Sequence, residues 1–230
     1  EDASHYRALK GKLSAVARQK ESRPQVIFYF AIPPAAALPI IQNLGKAGLN
    51  HSKTKLLLEK PFGFDLVSAR ELISQTAKFF PEEQIYRIDH YLAKEMAQNI
   101  VVFLGSNALF RDAWSNQFIN RVEVIVAEKI NIEGRVQFYE STGALRDITQ
   151  SHLLQLAALT LMEPCTGVFE YEELPGRRLA ALNALSVDTT RPIIRAQYQG
   201  YQKEVDNPGS TTETFVGLTL KSSNPRWRDV

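Results

Sequence analysis

Two nearly continuous apolar runs early in the chain limit its possible folds more than any other feature. The first run, QVIFYFAIPP, ends at a double proline, and the second, TKLLLEKPFG, acquires charge only at its carboxyl end. Such runs are typical of parallel-sheet strands that are buried on both faces, because a half-exposed strand alternates instead. They therefore predict neighbouring strands of a parallel sheet.

Helical patterns separate and flank these strands. Residues 6–19 place apolar side chains at helical spacing, and AALPIIQNLGKAGL predicts a helix that is ended by Gly45 and Gly48. Asp65 is expected to cap a third helix, LVSARELISQTAKFF, and QIYRID predicts a third short strand. This β-α-β-α-β order predicts a parallel sheet with helices on its faces.

Residues that can take part in chemistry follow each predicted strand. They are Pro33-Pro34, Glu59-Lys60-Pro61 and Asp89-His90. Ligands of open parallel sheets bind at the carboxyl ends of the strands, which is where these residues lie. We therefore expect them to face a common crevice.

The pattern changes after Asp89. HYLAKEMAQNIVVFLGSN predicts a helix that begins near Asp89, and LRDITQSHLLQLAALTLME predicts a largely buried helix. NRVEVIVAEKI alternates like a strand with one wet face, and RPIIRAQYQ and TETFVGLTLKS predict further strands. Strict alternation of strands and helices is lost. We therefore expect one domain over 1–88 and a second, of α+β type with an antiparallel sheet, over 89–230.

Composition excludes several classes of protein. The net charge is +2 and the basic residues are scattered, so no nucleic-acid partner is expected. The most apolar run, Phe28–Ile41, is about 14 residues long and contains three prolines, so it is too short and too broken to span a membrane. The single Cys165 excludes an internal disulfide, fits a reducing compartment and is expected to be structural. Cytoplasm is the expected location, with a trimmed organellar form as the alternative.

The stretch RIDHYLAKE contains groups suited to binding an anion. On a helix that begins near Asp89, His90 and Lys94 are four residues apart and share a face. Near the positive end of the helix dipole they can clamp an anion, and Tyr91 adds a hydroxyl donor. The alternative is that Asp89 caps the helix while His90 and Lys94 are solvated.

His152 lies among apolar neighbours, where it is either a satisfied core histidine or a general base. A base needs an orienting carboxylate, for which Asp89 and Asp147 are the candidates. The sequence contains no G-x-G-x-x-G, no Walker loop and no His/Cys cluster at metal-ligand spacing, so no metal is expected.

Two further charged residues follow predicted strands. Lys60 is either a donor to phosphate or hydroxyl groups or a loop lysine, and its bond to Pro61 is a candidate for the cis form. Glu128 ends the alternating strand, where an ordinary exposed carboxylate is the alternative to a binding role.

Four stretches, in order, resemble motifs of the glucose-6-phosphate dehydrogenase family. FYFAIPP is similar to its F-Y-L-A-x-P-P, EKPFG to its E-K-P-F-G, and RIDHYLAKE to its R-I-D-H-Y-L-G-K-E. GALRDITQSHLLQ is similar to its G-x-x-R-D-x-x-Q-N-H-L-x-Q. Ala93 replaces the family's Gly, and Ser151 replaces its Asn. The ordered set is far more specific than any one motif, and the match runs through nearly the whole chain.

The resemblance implies a role for each residue singled out above. His152 is implied to be the general base that takes the proton from the sugar C1 hydroxyl, and Asp89 the carboxylate that holds this histidine. The other implied contacts are a phosphate clamp of His90, Tyr91 and Lys94, sugar-hydroxyl contacts from Glu128 and Asp147, a contact of Lys60 with both substrate and cofactor, and a part for Pro61 in cofactor placement.

The resemblance also implies a fold and a reaction. The fold is the second half of a Rossmann-like parallel sheet, followed by the start of an α+β domain with an antiparallel sheet. The reaction is the oxidation of glucose 6-phosphate at C1 to 6-phosphogluconolactone, with NADP or alternatively NAD as cofactor, in a homo-oligomeric parent protein.

Two of the family's segments do not occur within the chain, namely the Gly-rich phosphate loop and P-F-x-L-R-x-G-K. We therefore expect the isolated chain to be inactive or nearly so. The alternative functions are a non-catalytic protein that keeps the sugar-phosphate site or only the scaffold, and a dehydrogenase of a non-phosphorylated sugar.

Overall fold

The chain divides into two units, Glu1–Asp89 and His90–Val230, each with its own hydrophobic core. The computed structural model describes residues 3–21, 24–63, 65–132, 134–164 and 171–230. Cys165 lies outside the described residues, so its structural role stays a prediction.

The first unit alternates helices and strands as the sequence predicts. Its elements are α1 (Ala3–Gln19), β1 (Val26–Phe30), α2 (Pro34–Lys46), β2 (Thr54–Leu58), α3 (Leu66–Ala77), a 3₁₀ turn (Glu82–Gln84) and β3 (Ile85–Arg87). Helix α2 continues through Gly45, and Gly48, with φ of 68°, follows its end. The stop is therefore at Gly48, because a positive φ suits glycine.

The predicted cap of α3 is confirmed. The carboxylate of Asp65 accepts the backbone N–H of Ser68 at 2.8 Å, and the Ser68 hydroxyl accepts the N–H of Asp65 at 3.0 Å. This reciprocal capping box satisfies two backbone donors that the first turn of a helix leaves without carbonyl partners.

The three strands form one parallel sheet in the order β1-β2-β3. Phe30 pairs with Leu58, and Leu58 pairs with Arg87, so the three strands end at one edge. Leu56 in the central strand is fully buried and packs in the same core as Ile41 of α2. The predicted parallel sheet is confirmed.

Strand β1 shows that the prediction of burial on both faces is wrong. Phe28 and Phe30 belong to the core, whereas the alternate residues Ile27 and Tyr29 are 55% and 57% exposed. Side chains of α1 and α2 pack into that core, on the face that carries Phe28 and Phe30. An apolar run shows that both faces of a strand are suited to burial. It does not show that other elements pack against both faces.

The second unit is mainly helical. Its helices are α4 (Glu95–Ser106), α5 (Ala108–Ala113), α6 (Val136–Ala144), a π-helix (Leu145–Leu153), α7 (Leu154–Leu161), α8 (Leu174–Asn183) and α9 (Tyr201–Glu204), with 3₁₀ turns at Tyr171–Glu173 and Pro225–Trp227. Val101 of α4, Leu159 of α7 and Ala181 of α8 meet in one core. None of the described helices combines the length and apolar character needed to span a membrane.

The helix predicted from Asp89 begins later than expected. Residues 90–93 form a turn, and α4 starts at Glu95 after Lys94, whose backbone is extended with ψ of 139°. Tyr91 is buried in the core and accepts the N–H of Lys94 at 3.2 Å, which anchors the turn. His90 and Lys94 therefore do not share a helical face, and that part of the prediction is wrong.

The strands of the second unit form two antiparallel pairs. β4 (Leu185–Val187) pairs with β7 (Leu220–Ser222), and β5 (Ile194–Ala196) pairs with β6 (Phe215–Gly217). TETFVGLTLKS, predicted as one strand, is thus divided between two pairs. A parallel sheet followed by antiparallel pairs confirms the fold class.

The strand predicted at NRVEVIVAEKI is not formed. Residues 121–127 alternate between exposed and half-buried side chains, as the sequence indicates. Among the residues that the structure describes, however, this segment pairs with no strand. Alternation produces an amphipathic extended segment, whereas a strand also requires a hydrogen-bonding partner.

Candidate active site

Three rings from two distant parts of the second unit meet beside the turn that precedes α4. The centroids of Tyr91 and His152 lie 4.1 Å apart with planes inclined by 22°, so these rings stack. His90 meets both rings edge-on, with centroids 4.9 Å from Tyr91 and 4.8 Å from His152. The structure therefore brings together three of the residues singled out in the sequence.

Burial distinguishes the two histidines of this cluster. His152 is 2% exposed, whereas His90 is exposed. His152 lies on the π-helix, a rare geometry that occurs frequently at functional sites. In the same segment the Ser151 hydroxyl donates to the carbonyl oxygen of Asp147. In this cluster, the imidazole of His152 is shielded from solvent, whereas that of His90 is accessible to solvent and ligands.

Lys94 completes the polar edge of the cluster. Its Nζ lies 3.6 Å from the centroid of the Tyr91 ring, a cation–π contact. The Tyr91 hydroxyl approaches Oε1 of Glu128 at 3.5 Å, which is a long and weak hydrogen bond. His90 and Lys94 thus come together through the ring of Tyr91 rather than through a shared helical face.

Tyr139 of α6 marks a group of carboxylates in the same unit. Burial, together with the negative charge of nearby carboxylates, raises the pKa of Tyr139 to about 12. In order of decreasing effect, these carboxylates belong to Asp147, Glu213 and Glu128. At neutral pH Tyr139 is protonated, as an unperturbed tyrosine also is. A hydroxyl donor among carboxylate acceptors suits a ligand that is rich in hydroxyl groups.

The remaining predicted site residues belong to the first unit. Lys60 and Pro61 directly follow Glu59 at the end of β2 and are joined by a cis peptide bond. The hydroxyl of Tyr29 donates to Glu59. Asp89 follows β3 and is half-buried. These residues lie beyond the carboxyl ends of neighbouring parallel strands, where dinucleotides bind in sheets of this kind.

Sequence reasoning missed Tyr139 and Glu213. The carboxylate of Glu213 accepts the N–H of Leu145, which is 68 positions away. A contact at that separation leaves no local pattern. The sequence did contain one indirect signal, Gly143, which lies inside an otherwise helical stretch next to the carboxylate of Glu213. An isolated glycine in such a stretch can mark a break in the helix.

The fold and the ring cluster define a two-part protein in which a Rossmann-like parallel sheet precedes an α+β unit that holds a buried histidine beside a cationic turn. Two family models match the chain in that order. The one described as glucose-6-phosphate dehydrogenase, NAD binding domain, matches residues 1–99, and the one described as glucose-6-phosphate dehydrogenase, C-terminal domain, matches residues 101–230. The chain therefore belongs to the glucose-6-phosphate dehydrogenase family, and the resemblance seen in its motifs is confirmed.

Curated relatives carry the same name. The glucose-6-phosphate 1-dehydrogenase of Chlamydia trachomatis is 36% identical over 247 residues, covering 100% of this chain and 56% of the relative. That of Helicobacter pylori strain J99 is 39% identical over 208 residues, covering 89% of this chain and 48% of the relative. The chain spans about half the length of these relatives.

Solved structures share the fold. Glucose-6-phosphate 1-dehydrogenase from Mycobacterium avium is 35% identical to this chain, with a TM-score of 0.86. The match covers 100% of this chain and 49% of the Mycobacterium avium chain. A glucose-6-phosphate dehydrogenase in complex with its substrate glucose-6-phosphate is 31% identical with a TM-score of 0.89 and the same coverage.

Proposed function

We propose that this chain carries the catalytic and sugar-phosphate-binding residues of a glucose-6-phosphate 1-dehydrogenase. The reaction is the oxidation of glucose 6-phosphate at C1 to 6-phosphogluconolactone. The observation that carries the proposal is the contact of buried His152 with Tyr91 and His90, because it sets a candidate base beside a candidate phosphate clamp. A relative described as bound to glucose-6-phosphate as its substrate supports the choice of sugar.

His152 is the proposed general base. The C1 hydroxyl is a weak acid, so its proton must be removed as the hydride leaves C1 and the carbonyl bond of the lactone forms. Asp89 is proposed to hold the far nitrogen of this imidazole, which fixes the tautomer and stabilises the imidazolium that forms. General-base assistance of this kind contributes about 10²–10⁴-fold to the rate.

His90, Tyr91 and Lys94 are proposed to bind the 6-phosphate. His90 and Lys94 are exposed and both contact the ring of Tyr91, so a phosphate can reach them without burial of an unpaired charge. Binding the phosphate, which is remote from C1, supplies binding energy that orients the reacting carbon.

Glu128 and Asp147 are proposed to accept hydrogen bonds from the sugar hydroxyls. Both carboxylates are close enough to Tyr139 to raise its pKa, which supports a common location in the second unit. Lys60 is proposed to contact both substrate and cofactor.

NADP, with NAD as the alternative, is the proposed cofactor and supplies the hydride acceptor when bound. Lys60 and Pro61 lie at the carboxyl edge of the parallel sheet, where dinucleotides bind, and a lysine ammonium there fits an anionic group. The family model that matches residues 1–99 is described as an NAD binding domain.

Properties of the whole protein are also part of the proposal, because the chain spans about half of its relatives. They are a homo-oligomeric state, a cytoplasmic location and no nucleic-acid or membrane partner. Inactivity of the isolated chain stays a prediction. The two alternatives, a non-catalytic remnant and a dehydrogenase of a non-phosphorylated sugar, gain no support from the names of the relatives.

A chimera tests the proposal within a chain of the relatives' length. Residues 1–230 replace the segment that they match in the Chlamydia trachomatis relative, and the absorbance of the reduced nicotinamide is followed. We expect turnover of glucose 6-phosphate but not of glucose, and a loss of kcat of about 10²–10⁴-fold in His152→Asn. His5→Asn, an exposed histidine of α1, is the matched control. An unchanged kcat in His152→Asn would exclude this residue as the base.

A further inference from the structure

The helical run that carries Asp147 and His152 is broken at its start. Gly143 adopts φ of 65° and ψ of 174°, which interrupts α6. Ala144 and Leu145 are therefore the first residues of a new helical stretch. Their N–H groups have no carbonyl partner one turn earlier, so they need hydrogen-bond acceptors from another part of the chain.

Glu213, which lies before β6, satisfies both donors. Its carbonyl oxygen accepts the N–H of Ala144 at 2.9 Å, and its Oε1 accepts the N–H of Leu145 at 3.0 Å. The side chain is 10% exposed, so water competes little for these bonds. A carboxylate is also favoured at the positive end of a helix dipole. Glu213 thus caps this helix from a distant part of the chain.

Gly143 provides the space that this carboxylate occupies. A Cβ added at Gly143 would lie 2.5 Å from Oε1 and 2.9 Å from the carboxyl carbon of Glu213. On the other side of the break, the Thr212 hydroxyl donates to the carbonyl oxygen of Glu140 at 3.2 Å. Consecutive residues of one segment therefore hold both sides of the break.

We propose that Glu213 is a positioning residue for the candidate active site. Acting through Leu145, it fixes the start of the π-helix, and this places Asp147 and His152 relative to Tyr91. Arg195 forms an ion pair with Glu213, with its Nη2 3.6 Å from Oε2 of Glu213, but the side chain of Arg195 is 55% exposed. This pair therefore contributes little to the position of Glu213 compared with the shielded bond to Leu145. The inference rests on the proposed function of His152.

Variants of Glu213 distinguish the effect of its side-chain acceptor from the effect of its charge. Glu213→Ala removes the side-chain acceptor of the Leu145 N–H, whereas Glu213→Gln keeps an amide oxygen in nearly the same place. The control is Glu204→Gln, because Glu204 also accepts a backbone N–H, that of Ile132 at 3.2 Å, and Ile132 is not part of the π-helix. All measurements use the 230-residue chain, with circular dichroism to confirm folding.

Three quantities are measured well below the unfolding midpoint, and the amide exchange rate is compared with that of other protected amides, so that a general loss of stability is not mistaken for a local change. They are the affinity for glucose 6-phosphate, the NMR resonance of the His152 imidazole and the amide exchange rate of Leu145. In Glu213→Ala we expect affinity about tenfold weaker, a displaced resonance and faster exchange. Glu213→Gln restores most of each quantity, and Glu204→Gln changes none.

A folded Glu213→Ala chain with unchanged affinity and an unchanged His152 resonance would overturn the inference. Should that variant not fold, Glu213→Asp replaces it, since it keeps the charge but shortens the side chain, and the same changes are expected. Absence of sugar-phosphate binding in the unmodified chain would count against the proposed function instead. The resonance and the exchange rate would then still decide the role of Glu213.

Discussion

The imidazole of His152 stacks on the ring of Tyr91, with centroids 4.1 Å apart and planes inclined by 22°. Stacking contacts the faces of an imidazole and leaves its two nitrogens, which lie in the ring plane, to hydrogen-bonding partners. This is the geometry that a general base requires, because it restricts the ring without using the atoms that exchange protons. Tyr91 itself is 6% exposed, so the restriction comes from a fixed part of the core.

The stack predicts different outcomes for two substitutions of Tyr91. Tyr91→Phe keeps the ring and loses the hydroxyl, whose contact with Glu128 is long at 3.5 Å, so we expect a loss of about 0.5 kcal/mol or less in unfolding free energy. Tyr91→Leu removes the stack and leaves a gap, and we expect a loss of about 2–4 kcal/mol. Urea unfolding measures both values. Equal losses in the two variants would show that stacking does not stabilise the site.

Lys94 is predicted to bind the phosphate of the sugar. Replacing an ammonium in a phosphate clamp removes a charge-assisted contact, so Lys94→Gln should weaken glucose 6-phosphate binding about tenfold, and less so at high salt. Calorimetric titration at two salt concentrations checks this. Lys203→Gln, on α9, is the matched control. Equal effects of the two substitutions would indicate a general loss of positive charge rather than a clamp.

The antiparallel pair of β4 and β7 contains a pH-sensitive contact. Lys221 Nζ lies 2.8 Å from Oδ1 of Asp188, and the hydroxyl of Thr190 donates to the same oxygen at 2.6 Å. These bonds, that of Lys221 first, lower the pKa of Asp188 to about 2. The folded-state pKa lies below the unfolded value of about 3.9, so the contact stabilises the fold above pH ~4 and is lost as pH falls towards ~2.

We therefore expect Lys221→Met to raise the pKa of Asp188 and to weaken the dependence of stability on pH between about 4 and 2. NMR titration of the Asp188 carboxyl and urea unfolding across that range measure the two effects. Thr190→Val should raise the pKa less, since Thr190 contributes less than Lys221. A larger rise in Thr190→Val than in Lys221→Met would contradict the assignment.

The capping box of α3 predicts a stability difference in the first unit. Asp65→Ala removes the acceptor for the Ser68 N–H, so we expect a loss of about 1 kcal/mol in unfolding free energy. Asp65→Asn keeps an oxygen acceptor and should lose a few tenths of a kcal/mol at most. Urea denaturation compares the two. A similar loss in both variants would mean that charge, rather than the hydrogen bond, is what the helix requires.

Local physical signals made much of the fold predictable. The apolar runs around Phe28 and Leu56 predicted parallel strands, since strands of parallel sheets read as nearly continuous apolar runs. The cap at Asp65 was predictable because capping uses neighbouring backbone groups. His152 stood out because an imidazole among apolar residues must be satisfied by a partner or have a function.

Features that depend on distant residues were not predictable. The turn at His90 forms because Tyr91 is held in a core built with residues of α7 and α8, and spacing alone could not distinguish that turn from a helix. The segment 121–127 has the alternation of a strand but no partner among the described strands. The cap from Glu213 joins residues 68 positions apart, so no local pattern recorded it.

The most direct test of a phosphate clamp beside His152 is calorimetric titration of this chain, shown to be folded by circular dichroism, with glucose 6-phosphate and with glucose. We expect measurable binding of the phosphorylated sugar, no measurable binding of glucose, and loss of the former in His90→Ala. Equal affinity for the two sugars, or binding that survives His90→Ala, would contradict a phosphate clamp beside His152.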